Sequence, residues 1–182
     1  MEQITKSLEE TQALASEWVV GLAPRSSSAS VVGLSGDLGS GKTSFVQGVA
    51  KALGVAEHVT SPTFILERIY PTSHLVPLEL RGASKLSSST AKWMHLIHID
   101  AYRLDSPNEL KHLGLAELVS NPGNLILIEW PERVAEGLPA DMLTLNFTFI
   151  DENTRKISLV TTPHHLNLEA KRPNLPRHKA SH

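Results

Sequence analysis

Gly36-Asp37-Leu38-Gly39-Ser40-Gly41-Lys42-Thr43 separates two glycines, Gly36 and Gly41, by four residues and follows them with a lysine and a hydroxyl residue. Glycines at that spacing let a backbone bend around an anion with its N–H groups turned inward, and a helix starting there adds a favourable dipole. Lys42 supplies a cation between the outer phosphates of a nucleotide, and Thr43 offers a hydroxyl to Mg²⁺. The expected nucleotide contacts run from Gly36 through Ser44.

Two apolar runs each end in a carboxylate: His95-Leu96-Ile97-His98-Ile99-Asp100 and Leu125-Ile126-Leu127-Ile128-Glu129. Ligands of parallel α/β sheets sit beyond the carboxyl ends of the strands. Asp100 and Glu129 are therefore expected beside the phosphate loop, holding Mg²⁺ or its waters or orienting an attacking water. An acid that merely caps the next helix is the plainer alternative for each. Trp130 can pack over such a site or serve equally as a core aromatic. Arg133 can reach a phosphate or a partner, although a solvated arginine is the commoner case.

Thr60-Ser61-Pro62-Thr63-Phe64 lies between the phosphate-loop helix and the next strand, where many P-loop proteins keep a segment that senses the γ-phosphate. Ser61 and Thr63 are its hydroxyls and Pro62 stiffens it; taken alone, it reads as a plain turn. The 9 histidines show no metal-ligand spacing. No Asn-Lys-x-Asp element for guanine is present, so ATP is preferred over GTP.

Positioning these groups needs particular elements. Val31–Leu34 reads as a buried strand feeding the loop, and Phe45, Val46, Val49, Ala50 and Leu53 share one face of the helix after it, with Gly54 as its stop. An earlier helix starts from the capping pattern Ser7-Leu8-Glu9-Glu10 and ends at Gly21 and Pro24. Further strands are predicted over Phe64–Tyr70, Met94–Asp100, Leu125–Glu129, Leu143–Ile150 and Lys156–Thr161, the last two forming a hairpin around Asp151-Glu152-Asn153-Thr154. Helices are predicted over Pro107–His112, Leu115–Val119 and Pro131–Glu136. This order implies a three-layer α/β P-loop fold, mostly parallel with antiparallel edge strands.

One domain over residues 1–162 fits the length of 182 residues. Pro71–Lys92, with its prolines and Ser87-Ser88-Ser89-Thr90, is expected to be an inserted loop, and 163–182 a disordered tail. A net charge of −2 and a pI near 6.5 demand no nucleic-acid partner. The absence of cysteine rules out disulfides and suits a reducing compartment. With no signal-like start and no apolar run of bilayer length, a cytoplasmic protein without a membrane partner is the expectation.

In this order the motifs resemble those of the bacterial TsaE family, small ATPases of tRNA threonylcarbamoyladenosine biosynthesis. The resemblance rests on the phosphate loop, Ser61-Pro62-Thr63-Phe64, His98-Ile99-Asp100-Ala101-Tyr102-Arg103-Leu104, Glu109 with Leu113-Gly114-Leu115, Leu127-Ile128-Glu129-Trp130-Pro131-Glu132-Arg133 and Leu138-Pro139. It spans roughly residues 5–160 apart from the insertion, which with the tail has no counterpart. What it implies is a Mg²⁺-dependent ATPase serving the partner proteins TsaB and TsaD, and reaching tRNA only through them. Lys42 and Thr43 would keep their phosphate-loop roles. Glu129 would be a Mg²⁺-linked acid, Asp100 a further acid for hydrolysis, and Ser61 and Thr63 a switch-like pair. The segment from Ser7 to Thr11 and the hairpin near Thr154 would lie by the adenine.

Two rival functions stand beside it. A small-molecule kinase should carry an arginine-rich lid, for which Arg81, Lys85 and Lys92 are too sparse. An ATP-sensing adaptor would bind nucleotide with little hydrolysis.

Overall fold

The computed structural model describes residues 2–73 and 93–160. Most of the expected insertion and the whole expected tail, 163–182, lie outside those residues. Seven strands form one sheet: β1 (Glu2–Thr5), β2 (Ser30–Gly36), β3 (Glu67–Pro71), β4 (His95–Asp100), β5 (Asn124–Glu129), β6 (Leu143–Phe149) and β7 (Arg155–Val160). Their order is β1-β7-β6-β2-β5-β4-β3. The central strands β6, β2, β5 and β4 run parallel, while β3 on one side and β7 with β1 on the other are antiparallel.

Strand periodicity sorts the side chains into two cores. Val32, Leu34, Leu96, Leu125, Leu127 and Leu145 face α1 (Leu8–Gly21) and α2 (Lys42–Ala52). Val31, Ile97, Ile99, Ile126 and Ile128 face the short helices α3 (Pro107–His112) and α4 (Leu115–Ser120). The result is the three-layer arrangement. Strands buried on both faces read as continuous apolar runs, which is why β4 and β5 stand out in the sequence.

Three expectations need correction. Phe64, Ile65 and Leu66 are not strand: the amides of Ile65 and Leu66 both donate to the Pro62 carbonyl, and Leu66 sits at φ 68°. The chain turns there, leaving Phe64 82% exposed, and β3 begins only at Glu67. Pro131–Glu136 is not one helix but two 3-10 turns, Pro131–Arg133 and Ala135–Gly137, broken at Val134 with φ −133°. β1 lies outside the predicted elements. It buries only Thr5, so it carries no apolar signal, and it exists by pairing with β7.

The Ser7 hydroxyl accepts from the Glu10 amide, and Glu10 Oε2 accepts from the Lys6 amide, which completes the expected cap of α1. Helices α1 and α2 cross closely at Gly48, where an added Cβ would lie 2.4 Å from the Gln12 carbonyl oxygen. The Ser16 hydroxyl, 2.9 Å from both the Gln12 and Gly48 carbonyls, stitches the crossing.

Glycine to alanine inside a helix ordinarily stabilises it by about 1 kcal/mol. At Gly48 the added methyl meets backbone that has no room to yield, and overpacking of this kind costs about 1–3 kcal/mol. Gly48→Ala is therefore expected to lower the urea midpoint; a midpoint at or above wild type would contradict the close crossing.

Candidate functional site

The phosphate loop leaves the end of β2 and enters α2. Gly36, Gly39 and Gly41 all have positive φ, at 142°, 75° and 100°. At Gly36 the requirement is double, since a Cβ would also lie 2.2 Å from the Phe147 carbonyl oxygen. Lys42 opens α2 and turns its ammonium back across the loop, donating to the carbonyls of Gly36 (2.7 Å) and Asp37 (2.8 Å). The same Nζ lies 3.9 Å from the centre of the Trp130 ring. Burial pulls the Lys42 pKa down, and the nearby carboxylates, Glu129 foremost, oppose that shift.

Parallel register brings the acids in. Leu34 of β2 stands opposite Glu129 of β5, and Glu129 stands opposite Asp100 of β4. Glu129 Oε1 accepts from the Thr43 hydroxyl at 2.8 Å and lies 2.9 Å from His98 Nε2. Asp100 Oδ2 accepts from Ser61 at 2.7 Å and from Thr63 at 2.5 Å, while Oδ1 accepts from the Tyr102 amide at 3.0 Å. The turn at Pro62 therefore has a definite task. It folds Ser61 and Thr63 onto the strand-end acid.

Trp130 follows Glu129 in the left-handed region, φ 59° and ψ 48°, with its amide bonded to the Leu34 carbonyl. A bulky residue there is strained, and the strain aims the indole over Lys42 and against Tyr102, ring centres 5.1 Å apart. Glu132 sits behind the loop; burial raises its pKa, while the Ser35 hydroxyl and Lys42 act against that rise. Arg133 points elsewhere. Its guanidinium holds the Leu104 carbonyl and Asp105, and so ties two loops together away from the phosphate loop.

Many of these groups, though not His98, Glu132 or Arg133, line a cavity of about 500 Å³, within the range of small-molecule sites. Leu38, Gly39, Gly41, Lys42, Thr43, Ser44, Ser61, Thr63, Asp100 and Glu129 all stand on its wall. Gly36, Asp37 and Ser40 shape the loop without lining the cavity, Ser40 being fully buried. Thr11 reaches the wall, but its hydroxyl is occupied by Thr5 and the Ser7 carbonyl. Thr154 does not line the cavity, contrary to expectation: Asp151 draws its amide into the β6–β7 turn, which presents Glu152, Asn153 and Arg155 instead.

Two contributors are missed by reasoning from the sequence. Arg155 donates from Nε to the Gly39 carbonyl and from Nη1 to the carbonyls of Asp151, Glu152 and Thr154, strapping the turn to the loop. His98 belongs to no ligand motif, although its parity with Asp100 on β4 places both on one face. Among the described residues no cluster of three metal-ligating side chains occurs. A hydroxyl and carboxylates beside a phosphate cradle is instead the oxygen set that suits Mg²⁺, which keeps phosphate and water among its ligands.

The chain matches the family model "Threonylcarbamoyl adenosine biosynthesis protein TsaE" over residues 5–157. It is 35% identical to the Rickettsia felis tRNA threonylcarbamoyladenosine biosynthesis protein TsaE, over 87% of this chain and 78% of that one. The same-named protein of Treponema pallidum is 36% identical, over 71% and 81% respectively. Among solved structures, Bacillus subtilis YdiB superposes with a TM-score of 0.61 at 28% identity, covering 87% of this chain and 83% of that one. No helix among the described residues is long and apolar enough to cross a membrane. Motif order, site geometry and similarity over most of its length agree, and the chain belongs to the TsaE family.

Proposed function

We propose that this chain binds ATP with Mg²⁺ in the cavity and hydrolyses it in the service of the proteins that make threonylcarbamoyladenosine in tRNA. The observation that carries the reading is the convergence of Lys42, Thr43, Glu129 and Asp100 on one phosphate loop.

The loop amides and the dipole of α2 bind the phosphates, and Lys42 leaves the Gly36 and Asp37 carbonyls to bridge the outer two. Thr43 Oγ1 and Glu129 would hold Mg²⁺. When bound, the ion neutralises charge that develops on the phosphoryl oxygens. Asp100 orients the attacking water. The phosphorus–oxygen bond to ADP breaks as the bond to water forms, and the water's proton is released with phosphate.

Ser61 and Thr63 give the site a readout. Both hydroxyls now sit on Asp100, so a γ-phosphate drawing on either would move the turn that carries Phe64. TsaB and TsaD are the partners proposed to read that surface, with tRNA reached through them. Binding of the partners then follows the differential contacts of ATP and ADP.

Mg-ATP at about 100 times its dissociation constant is expected to stabilise the protein by about 2.7 kcal/mol, seen as a raised melting temperature. Lys42→Ala should remove most of the rise, and an unchanged melt of the wild-type protein would contradict nucleotide binding. Glu129→Gln keeps the shape of the side chain and deletes its charge. Partner-stimulated hydrolysis should then fall at least about tenfold, about 1.4 kcal/mol of barrier. Turnover at the wild-type rate with metal dependence intact would return Glu129 to a structural role.

A further inference from the structure

His98 is fully buried in the middle of the sheet on the α2 face, next to apolar Leu96 and Leu127. The only hydrogen bond of its ring among the described residues runs from Nε2 to Glu129 Oε1, at 2.9 Å. Nδ1 is buried and has no partner among the described residues. A carboxylate can only accept, so the ring must carry its proton on Nε2 to make this bond. Burying a polar ring with one nitrogen unsatisfied is costly, and a leucine would fill the same space without that cost. The position is poorly explained by packing alone.

Glu129 explains it. Oε1 has two acceptor sites, and both are filled, one by the Thr43 hydroxyl and one by His98. Two donors on one oxygen fix the rotation of the carboxyl group and leave Oε2 without a donor among the described residues, at the wall of the cavity. The two donors differ in kind. Thr43 lies in the first turn of α2, directly after the loop, and is itself placed to hold the cation, whereas His98 is locked in the sheet core and does not line the cavity. Only His98 can keep Glu129 oriented independently of whether the loop is loaded.

We propose that His98 is a positioning residue for the Mg²⁺ site: its Nε2–H holds Glu129 Oε1 so that Oε2 is preset toward the ion. This rests on the reading of the cavity as a Mg-ATP site. Loss of an outer partner of a metal-binding carboxylate typically weakens metal binding about 10–100-fold.

The test compares His98→Leu with His98→Gln, whose amide nitrogen reaches about as far from Cβ as the imidazole Nε2. Nucleotide affinity is measured in EDTA, and Mg²⁺ is then titrated against the ATP-dependent rise in melting temperature. His98→Leu should leave affinity in EDTA unchanged and raise the Mg²⁺ midpoint at least about tenfold, while His98→Gln stays within about threefold of wild type. A leucine variant with the wild-type midpoint, or a glutamine variant as impaired as leucine, overturns the proposal. Histidine ¹⁵N NMR on the wild-type protein tests the same bond without requiring any variant to fold. The His98 Nε2–H resonance should be present, and it should shift when Mg²⁺ joins bound ATP. A ring protonated on Nδ1 alone, or a resonance blind to Mg²⁺, also overturns it. Failure of the wild-type protein to bind Mg-ATP would instead remove the reading of the cavity itself.

Discussion

The register of three parallel strands sets everything at this site. With Leu34 opposite Glu129 and Glu129 opposite Asp100, two acids emerge side by side where β2 gives way to the phosphate loop. A slip of one residue would turn both carboxylates to the other face of the sheet, into the apolar layer under α3 and α4. The slip is opposed on both faces at once, because alternating leucines and isoleucines fill separate cores. Hydrophobic burial, which is not directional, thus ends up fixing directional chemistry.

From that frame each reactive group has a restraint appropriate to its task. Glu129 is held by a threonine in the first turn of α2 and by a histidine from the sheet core. Asp100 is held by the turn around Pro62, which reaches the sheet through its hydroxyls, the Leu66 carbonyl and the packing of Leu66. Lys42 is held by carbonyls of its own loop and by a strained tryptophan. The rigid acid and the acid on the turn therefore differ in what can move them.

Much of this is legible in the chain because it rests on short-range pattern. The glycines of the loop, the apolar runs ending in Asp100 and Glu129, and the helical face of α2 each announce themselves within a dozen residues. Pairings between distant segments do not. β1 is a strand only because β7 lies beside it, and Arg155 matters because the β6–β7 turn folds over Gly39, 116 residues earlier. Phe64 and Ile65 have strand-forming side chains, yet the Pro62 carbonyl captures the following amides and makes a turn. Thr154 fails as a wall residue for a similar local reason, the Asp151 side chain having drawn its amide inward. His98 shares the face of Asp100 by simple alternation, but its partner Glu129 can be named only once the register is known.

The most direct measurement is reconstitution. TsaB, TsaD, tRNA, the threonylcarbamoyl donor and ATP are combined with this chain, and modified adenosines are counted per partner complex. A phosphate loop with its acids preset by the sheet should drive many rounds with the wild-type chain and about one with Lys42→Ala, as expected when a single step needs the loop cation. Equal counts with and without the chain, or with and without Lys42, would contradict the account.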